Sequence, residues 1–214
     1  MTTLIFLIII IAIIVLWSAW GYFSSRVEQA EYRVIKKMSG YEIREYTAHI
    51  VAQTTVKGKY QEALSEGFRI VAGYIFGNNS KKQSISMTAP VISQSAGSEK
   101  ISMTAPVLAT TQGESHVISF GMPRSQTLQT LPEPGDSRVK IVEIPDKQFA
   151  VIKFSWLRTN NRIEKMETRL LKLISRDNVE ILGSPMYAGY NAPWTPPWMT
   201  RNEVMVEIKH MYSN

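Results

Sequence analysis

The 214-residue sequence contains no cysteine and only three histidines. The absence of cysteine excludes disulfide bonds, thiolate metal sites and cysteine nucleophiles. Three dispersed histidines are a poor supply for a metal triad. The sequence also lacks the signatures of zinc proteases, α/β-hydrolases, P-loop proteins and dinucleotide-binding folds. An acid–base pair assembled from distant carboxylates stays open, but these absences favour a protein that is not an enzyme.

Charge is absent from the first part of the chain. Residues 1–25 carry no charged side chain, so all 24 basic and 18 acidic residues lie in residues 26–214. This distribution excludes a polytopic membrane protein, and the apolar content of the remainder excludes a wholly disordered chain. The net charge of +6 is mild, and no basic run is longer than the pairs at 36–37 and 81–82. We therefore expect a solvated basic surface and no binding to nucleic acid.

The uncharged start of the chain is predicted to be a transmembrane anchor. Of the 20 residues 4–23, 18 are apolar or aromatic, and a helix of that length is about 30 Å long, which matches a bilayer core. Aromatic residues gather at its C-terminal end, as in an interfacial belt. No basic residue precedes this segment and Trp20 spoils a small-residue cleavage site, so a cleaved signal peptide is the weaker interpretation.

The chain is expected to divide into an anchor at residues 1–25, a juxtamembrane linker at 26–40 and a domain at 41–210. Four basic residues follow the anchor closely: Arg26, Arg33, Lys36 and Lys37. By the positive-inside rule, these residues predict a single-pass membrane protein whose domain faces the cytoplasm.

The domain is expected to contain two similar halves. In each half, strands with alternating apolar and polar residues surround one helix with an apolar stripe. The first helix is predicted at residues 60–76, and the second is predicted to run from an N-cap at Asn161 to about Ser175. The predicted strands are residues 41–46, 49–56, 115–122, 138–144, 148–154, 186–191 and 204–209. Sequential strands without alternating helices indicate an α+β fold with an antiparallel sheet.

One heptapeptide, ISMTAPV, occurs twice, at residues 85–91 and 101–107. The spacer QSAGSEK has turn chemistry, so the two copies are predicted to form a hairpin. Together with YEIREY at 41–46 and YNAPWTPPWMTRNEVMVEI at 190–208, the doubled MTAPV resembles the SOUL/haem-binding protein family. The resemblance extends over roughly residues 31–210. It implies a pseudo-twofold α+β fold in which two helices flank a twisted, barrel-like antiparallel sheet.

The resemblance also implies a tetrapyrrole-binding cleft between the first helix of the domain and the loop before the last strand. Its walls would consist of Phe68, Val71, Ala72 and Ile75 on the helix, and of Trp194, Trp198, Met199 and Arg201 on the loop. A propionate would be held through charge-assisted hydrogen bonds by one of four basic residues, namely Arg69, Lys57, Lys59 or Arg201. Two other interpretations stay open. The apolar stripe of the helix is also typical of an ordinary core face, and the tryptophan loop is also typical of a contact with a membrane surface.

The ligand implied by the resemblance is non-covalently bound haem or another tetrapyrrole. No residue is assigned as an axial iron ligand, since His49, His116 and His210 are each expected to be ordinary surface or packed histidines. We therefore expect a membrane-anchored haem-binding protein, used in buffering, trafficking or sensing. The alternative is an effector- or protein-binding module, because the expected architecture also resembles effector-binding domains of bacterial regulators. An enzyme that acts on haem or another apolar substrate is the weaker option.

Overall fold

The computed structural model describes residues 2–24, 28–86, 88–96, 115–192 and 194–211. The helices among them are α1 (Thr2–Ser24), α2 (Tyr60–Ile75) and α3 (Asn160–Arg176), with a short 3₁₀ turn at Pro197–Met199. The strands are β1 (Glu28–Gln29), β2 (Tyr32–Met38), β3 (Tyr41–Tyr46), β4 (His49–Lys57), β5 (Thr88–Ala89), β6 (Val91–Ala96), β7 (Ser115–Gly121), β8 (Lys140–Ile144), β9 (Lys147–Phe154), β10 (Met186–Gly189) and β11 (Asn202–Glu207). The fold is α+β, as the sequence predicts.

The main sheet has a pseudo-twofold order. Nine of the described strands form one antiparallel sheet, β2-β3-β9-β11-β10-β6-β7-β4-β8, which curls into a half-barrel. Without β2 at its edge, this order is symmetric about the β10–β6 pair. The first half (β3, β4, α2, β6, β7) and the second half (β8, β9, α3, β10, β11) therefore occupy equivalent positions. The short strands β1 and β5 pair separately, in parallel.

Most predicted elements are confirmed, with differences at their ends. Thr159 rather than Asn161 is the N-cap of α3, and its side chain accepts a hydrogen bond from the backbone N–H of Arg162. The segment expected to be a linker contains β2, which pairs with β3, because an edge strand keeps charged side chains in water. The first copy of the heptapeptide supplies β5 and the start of β6. The second copy, residues 101–107, lies outside the described residues, so the hairpin between the copies stays a prediction.

Both helices of the domain cover the same face of the sheet. α2 packs on β4 and β7 through a core cluster that includes Val71, Ile118 and Phe120. α3 packs on β9 and β11 through a cluster that includes Leu170 and Val206. Successive side chains of a strand point to opposite faces. The alternate residues of these strands therefore lie on the concave face, which is the face opposite the helices.

α1 stands apart from these cores. Its stretch Thr2–Phe23 has a mean hydropathy of 2.8, and 6% of that apolar window is buried. The helix is therefore long and apolar enough to cross a membrane, and its exposure is unlike that of a core helix in a soluble domain. Its C-terminal part contacts the loop before β11.

Gly67 allows α2 to lie close to β7. A Cβ atom at Gly67 would lie 2.6 Å from Cδ1 and 2.8 Å from Cγ1 of Ile118, and Ile118 is fully buried. Gly67→Ala is therefore expected to lower the free energy of unfolding by about 1–3 kcal/mol, because the packed core must shift to admit a methyl group. Guanidinium unfolding of the detergent-solubilised chain, followed by circular dichroism, measures this change.

Gly73 provides the matched control on the same helix. A Cβ atom there would meet nothing within 4 Å. Gly73→Ala is expected to raise the free energy of unfolding by about 0.4–1 kcal/mol, because alanine restricts the unfolded chain without a clash. Equal effects of the two substitutions would contradict the close approach of α2 to β7.

Candidate ligand-binding site

The concave face of the sheet holds an apolar cavity of about 180 Å³. Its lining comes from every strand of the main sheet except β2. The apolar lining residues include Val51, Ile92, Val117, Phe149, Met186 and Met205. The polar ones include Gln53, Gln94 and Ser119, and the Lys147–Glu207 ion pair (2.7 Å) lies at the rim. Apolar walls with a few polar groups are typical of small-molecule sites.

A second, more polar cavity of about 510 Å³ adjoins the first. The two cavities share Ala30, His49 and Gly121 in their linings, so they meet at these residues. Charged side chains line the outer cavity, where Arg124 lies 2.8 Å from Glu31 and 3.7 Å from Glu28. An apolar cavity on the concave face and a more charged cavity are therefore adjacent at these residues.

His49 lies where the two cavities meet. Its Nδ1 is 2.8 Å from the carbonyl oxygen of Thr47. When the N–H at Nδ1 donates to that carbonyl, the lone pair of the neutral ring is on Nε2. Metal-binding histidines commonly have this arrangement, in which one ring nitrogen donates to a carbonyl and the other ligates. Among the described residues there is no cluster of three or more His, Cys, Asp or Glu suited to a metal ion.

The other two histidines have different surroundings. His116 is buried on the helix side of the sheet, where its ring meets Tyr60 edge-on at 5.6 Å and its Nε2 lies 3.2 Å from the carbonyl oxygen of Gly58. His210 is exposed near the C-terminus. Only His49 of the three therefore lines a cavity on the concave face.

A buried charge network occupies the concave face beside Met205. Glu203 is fully buried, and its carboxylate accepts hydrogen bonds from Arg44 (3.0 and 2.9 Å), Arg201 (2.9 Å) and the Tyr190 hydroxyl (2.8 Å). Burial raises the pKa of Tyr190, so its hydroxyl keeps the proton that it donates. Burial alone would lower the pKa of Arg44, but the charge of Glu203 and its hydrogen bonds raise it. Arg44 therefore keeps its charge although it is buried.

Arg201 belongs to this network. Besides Glu203, its guanidinium donates to Gln29 Oε1 at 2.9 Å and to Tyr32 Oη at 3.2 Å, and it lies 3.8 Å from the centre of the Tyr190 ring. Sequence reasoning missed the network, because Glu203 alternates with apolar residues just as an exposed strand residue does. These hydrogen bonds connect β1 and the first residue of β2 to the residues that border β10 and β11.

The predicted residues of α2 divide into buried and exposed ones. Val71, Ala72 and Ile75 are buried in the core between α2 and the sheet. Phe68 is 38% exposed, and its ring centre lies 5.2 Å from that of Phe120. Arg69 is exposed. Only Phe68 and Arg69 are therefore accessible to a ligand without opening the core.

The predicted loop residues contact α1. Trp17 Nε1 donates to the carbonyl oxygen of Trp194 at 2.9 Å, and the ring of Trp17 meets that of Trp198 edge-on at 5.4 Å. Trp194 and Trp198 remain exposed, and Met199 is half-buried. The nine predicted residues thus lie in three environments, namely the α2 surface and core, the loop on α1, and the Glu203 network.

Comparison with known proteins assigns the chain to a family. Residues 27–99 and 92–207 match the family described as SOUL heme-binding protein. Heme-binding protein 2 of Homo sapiens is 31% identical over 158 residues, which cover 72% of this chain and 71% of that protein. The match extends over most of the described domain, so the resemblance stated from the sequence motifs is confirmed.

Solved structures with the same fold have little sequence in common with this chain. The C-terminal domain of EcmrR aligns with a TM-score of 0.55 at 8% identity, over 83% of this chain and 98% of that one. A protein described as a hydrolase from Listeria innocua aligns with a TM-score of 0.50 at 11% identity, over 79% of this chain and 91% of that one. At these identities the likeness concerns the fold alone.

Proposed function

Because the chain belongs to the SOUL heme-binding protein family, we propose that it binds haem or a related tetrapyrrole non-covalently. The observation that carries the proposal is the apolar cavity of the concave face, which adjoins a more charged cavity at His49. A tetrapyrrole has the same division, with apolar ring faces and charged propionates. The inner cavity is smaller than the range of about 300–1,000 Å³ typical of ligand pockets. The ligand would therefore occupy both cavities.

Several residues of the chain suit this ligand. Phe149 and Met205 would contact the faces of the ring, and Gln53 and Gln94 would hydrogen-bond polar groups at its edge. Haem, when bound, would supply an iron that accepts nitrogen or sulfur ligands. Nε2 of His49 would be such a ligand, with its ring held by the carbonyl of Thr47. The proposed mode of binding is therefore enclosure on the concave face, with coordination by His49 when iron is present.

The helix–loop cleft implied by the sequence resemblance is the second proposed location. Its accessible members are Phe68, Arg69, Trp194, Trp198 and Met199. Val71, Ala72 and Ile75 would support the α2 wall from the core, and Arg201 would have to leave Glu203 to reach a propionate. The concave face is favoured because its cavity exists without any such rearrangement.

A titration tests the proposed function. The full chain in detergent micelles is titrated with ferric haem, an iron-free porphyrin and an unrelated planar dye. We expect saturable one-to-one binding of haem and porphyrin and none of the dye. His49→Ala is expected to change the visible spectrum of the haem complex and to weaken haem binding by at least about tenfold, while porphyrin binding stays nearly unchanged.

His210→Ala is the matched control, because His210 is exposed near the C-terminus and lines neither cavity. This variant should leave both titrations unchanged. If neither haem nor porphyrin binds saturably, the proposed function is wrong. If both bind but the haem spectrum of His49→Ala equals that of the unmodified chain, only coordination by His49 is excluded.

We also propose that α1 anchors the chain in a membrane as a single-pass helix through residues 4–23, with the domain on the cytoplasmic side. The length and apolar surface of α1 support the anchor, and the basic residues after it support the orientation. The protein would then bind haem beside a bilayer, for buffering, trafficking or sensing, and would have no catalytic role. An effector- or protein-binding module is the alternative, and binding of the dye but not of porphyrin would favour it.

A further inference from the structure

All five tryptophans of the chain gather around the loop before β11, although they come from three distant parts of the sequence. Trp17 of α1 contacts Trp194 and Trp198, and Trp20 follows one turn later on the same helix. The backbone N–H of Trp156 donates to the carbonyl oxygen of Pro197 at 3.0 Å. Trp156 therefore lies beside the same loop.

The side chains at this place are exposed. The exposed fractions are 48% for Trp156, 58% for Trp194 and 44% for Trp198, and the adjacent Leu157 is 55% exposed. We call Trp17, Trp20, Trp156, Leu157, Trp194 and Trp198 the tryptophan patch. Exposed apolar side chains grouped around one loop, outside any core, mark an interaction site.

The backbone at Trp156 is held in an unfavourable conformation. Its φ is +87°, a region that costs a bulky residue about 1–3 kcal/mol. Thr200 holds it there, because its Oγ1 accepts from the backbone N–H of Trp156 at 3.0 Å and donates to its carbonyl oxygen at 3.0 Å. The fold thus holds Trp156 in a strained conformation in which 48% of the residue is exposed.

The patch lies where α1 would leave the membrane. Only four Cα–Cα steps of 3.8 Å separate Ser24 from Glu28, so the domain begins within about 15 Å of the end of the helix. Gly21 of α1 is buried against the loop, and a Cβ atom there would be 2.5 Å from Cδ of Pro196. Loop and helix end are therefore in direct contact, and tryptophan is the residue most typical of the membrane–water interface.

From these contacts we infer that the tryptophan patch enters the interfacial layer of the bilayer that α1 crosses, which docks the domain on the lipid surface. This inference rests on the proposed anchoring by α1. The partner is the lipid headgroup and upper acyl region, where the indole rings bury their apolar faces and keep their N–H groups near water.

Quenching by brominated lipids tests the inference. The full chain is reconstituted into phosphatidylcholine vesicles whose acyl chains are brominated near the headgroup. In the unmodified chain, α1 contributes two of the five tryptophans. We expect fluorescence to fall by well over two-fifths, because Trp156, Trp194 and Trp198 are quenched as well. A fall no larger than the two tryptophans of α1 account for would overturn the inference. This measurement needs no substituted variant.

Single-tryptophan variants locate the contact. In chains whose other tryptophans are phenylalanine, Trp156 and Trp198 are expected to be quenched by bromolipid and shielded from aqueous iodide. The control is Leu182→Trp in a tryptophan-free chain. Leu182 is 50% exposed, and its backbone N–H donates to the carbonyl oxygen of Glu207, at the end of β11 that is far from the patch. Its fluorescence should respond to iodide and not to bromolipid.

A chain that keeps only Trp17 separates the two proposals. If Trp17 is not quenched by bromolipid, the anchor itself is wrong. If Trp17 is quenched and Trp156 is not, the anchor stands and the docking of the patch is overturned. Quenching of Leu182→Trp to the same degree as Trp156 would also overturn the docking, because contact with lipid would then not be confined to the patch.

Discussion

Glu203→Gln is expected to lower the free energy of unfolding by about 3–5 kcal/mol, because it removes one partner of a buried ion pair. Glu203 is fully buried and Arg44 is 3% exposed. Without the carboxylate charge, Arg44 stays buried with only the partly exposed Glu42 as a charged partner. A loss of this size corresponds to a fall in the melting temperature of roughly 10 °C for a domain of this length. Thermal and guanidinium unfolding measure it.

The exposed pair of Lys209 and Glu180 is the matched control. Its atoms are 2.9 Å apart, about as close as those of Arg44 and Glu203, but both side chains are more than 60% exposed. Glu180→Gln is therefore expected to change the free energy of unfolding by less than about 1 kcal/mol. Similar small effects of both substitutions would mean that water reaches Glu203 and that the network is not a buried charge cluster.

Val117→Trp is expected to weaken the binding of haem and of iron-free porphyrin alike, with affinities at least about tenfold lower, or about 1.4 kcal/mol. Val117 is half-buried on β7 and lines the inner cavity. An indole in its place would fill the space that the ring of the ligand would enter. The half-buried position leaves room for the larger side chain, so the unfolding transition should change little. Absorbance and tryptophan-quenching titrations measure the affinities.

Trp198→Ala tests the other proposed location in the same titrations. Trp198 lies on the loop and does not line the concave cavity. If the ligand binds on the concave face, Val117→Trp weakens binding and Trp198→Ala does not. The reverse result would assign the ligand to the helix–loop cleft. Circular dichroism and thermal unfolding of both variants show whether a loss of binding reflects a loss of folding.

The two proposals involving the tryptophan loop exclude each other in part. Indole rings inserted among lipid headgroups cannot at the same time cover the face of a tetrapyrrole. Docking of the tryptophan patch on the bilayer therefore favours the concave face as the ligand site.

The amino-acid sequence determined the features that depend on neighbours along the chain. Residues 4–23 lack charge, and the structure forms one helix there. The alternation in YEIREY predicted β3 with its correct ends. The apolar stripe that begins at Tyr60 predicted α2 with an end one residue from the observed one. The similar order of elements in the two halves was also visible. These features follow from local periodicity, because the spacing of apolar residues must match the period of a helix or strand.

Only the tertiary structure decided which distant residues meet. Arg44 and Glu203 are 159 positions apart, and Trp17 and Trp194 are 177 apart. Their contacts depend on the register of β3, β9 and β11 and on the path of the loops, which no local pattern encodes. For the same reason, no local pattern indicated that His49 lies where two cavities meet. A buried glutamate has the same local sequence pattern as an exposed one, and a histidine at a cavity has the same pattern as a histidine on the surface. Only the opposing strands determine which of these environments a residue has.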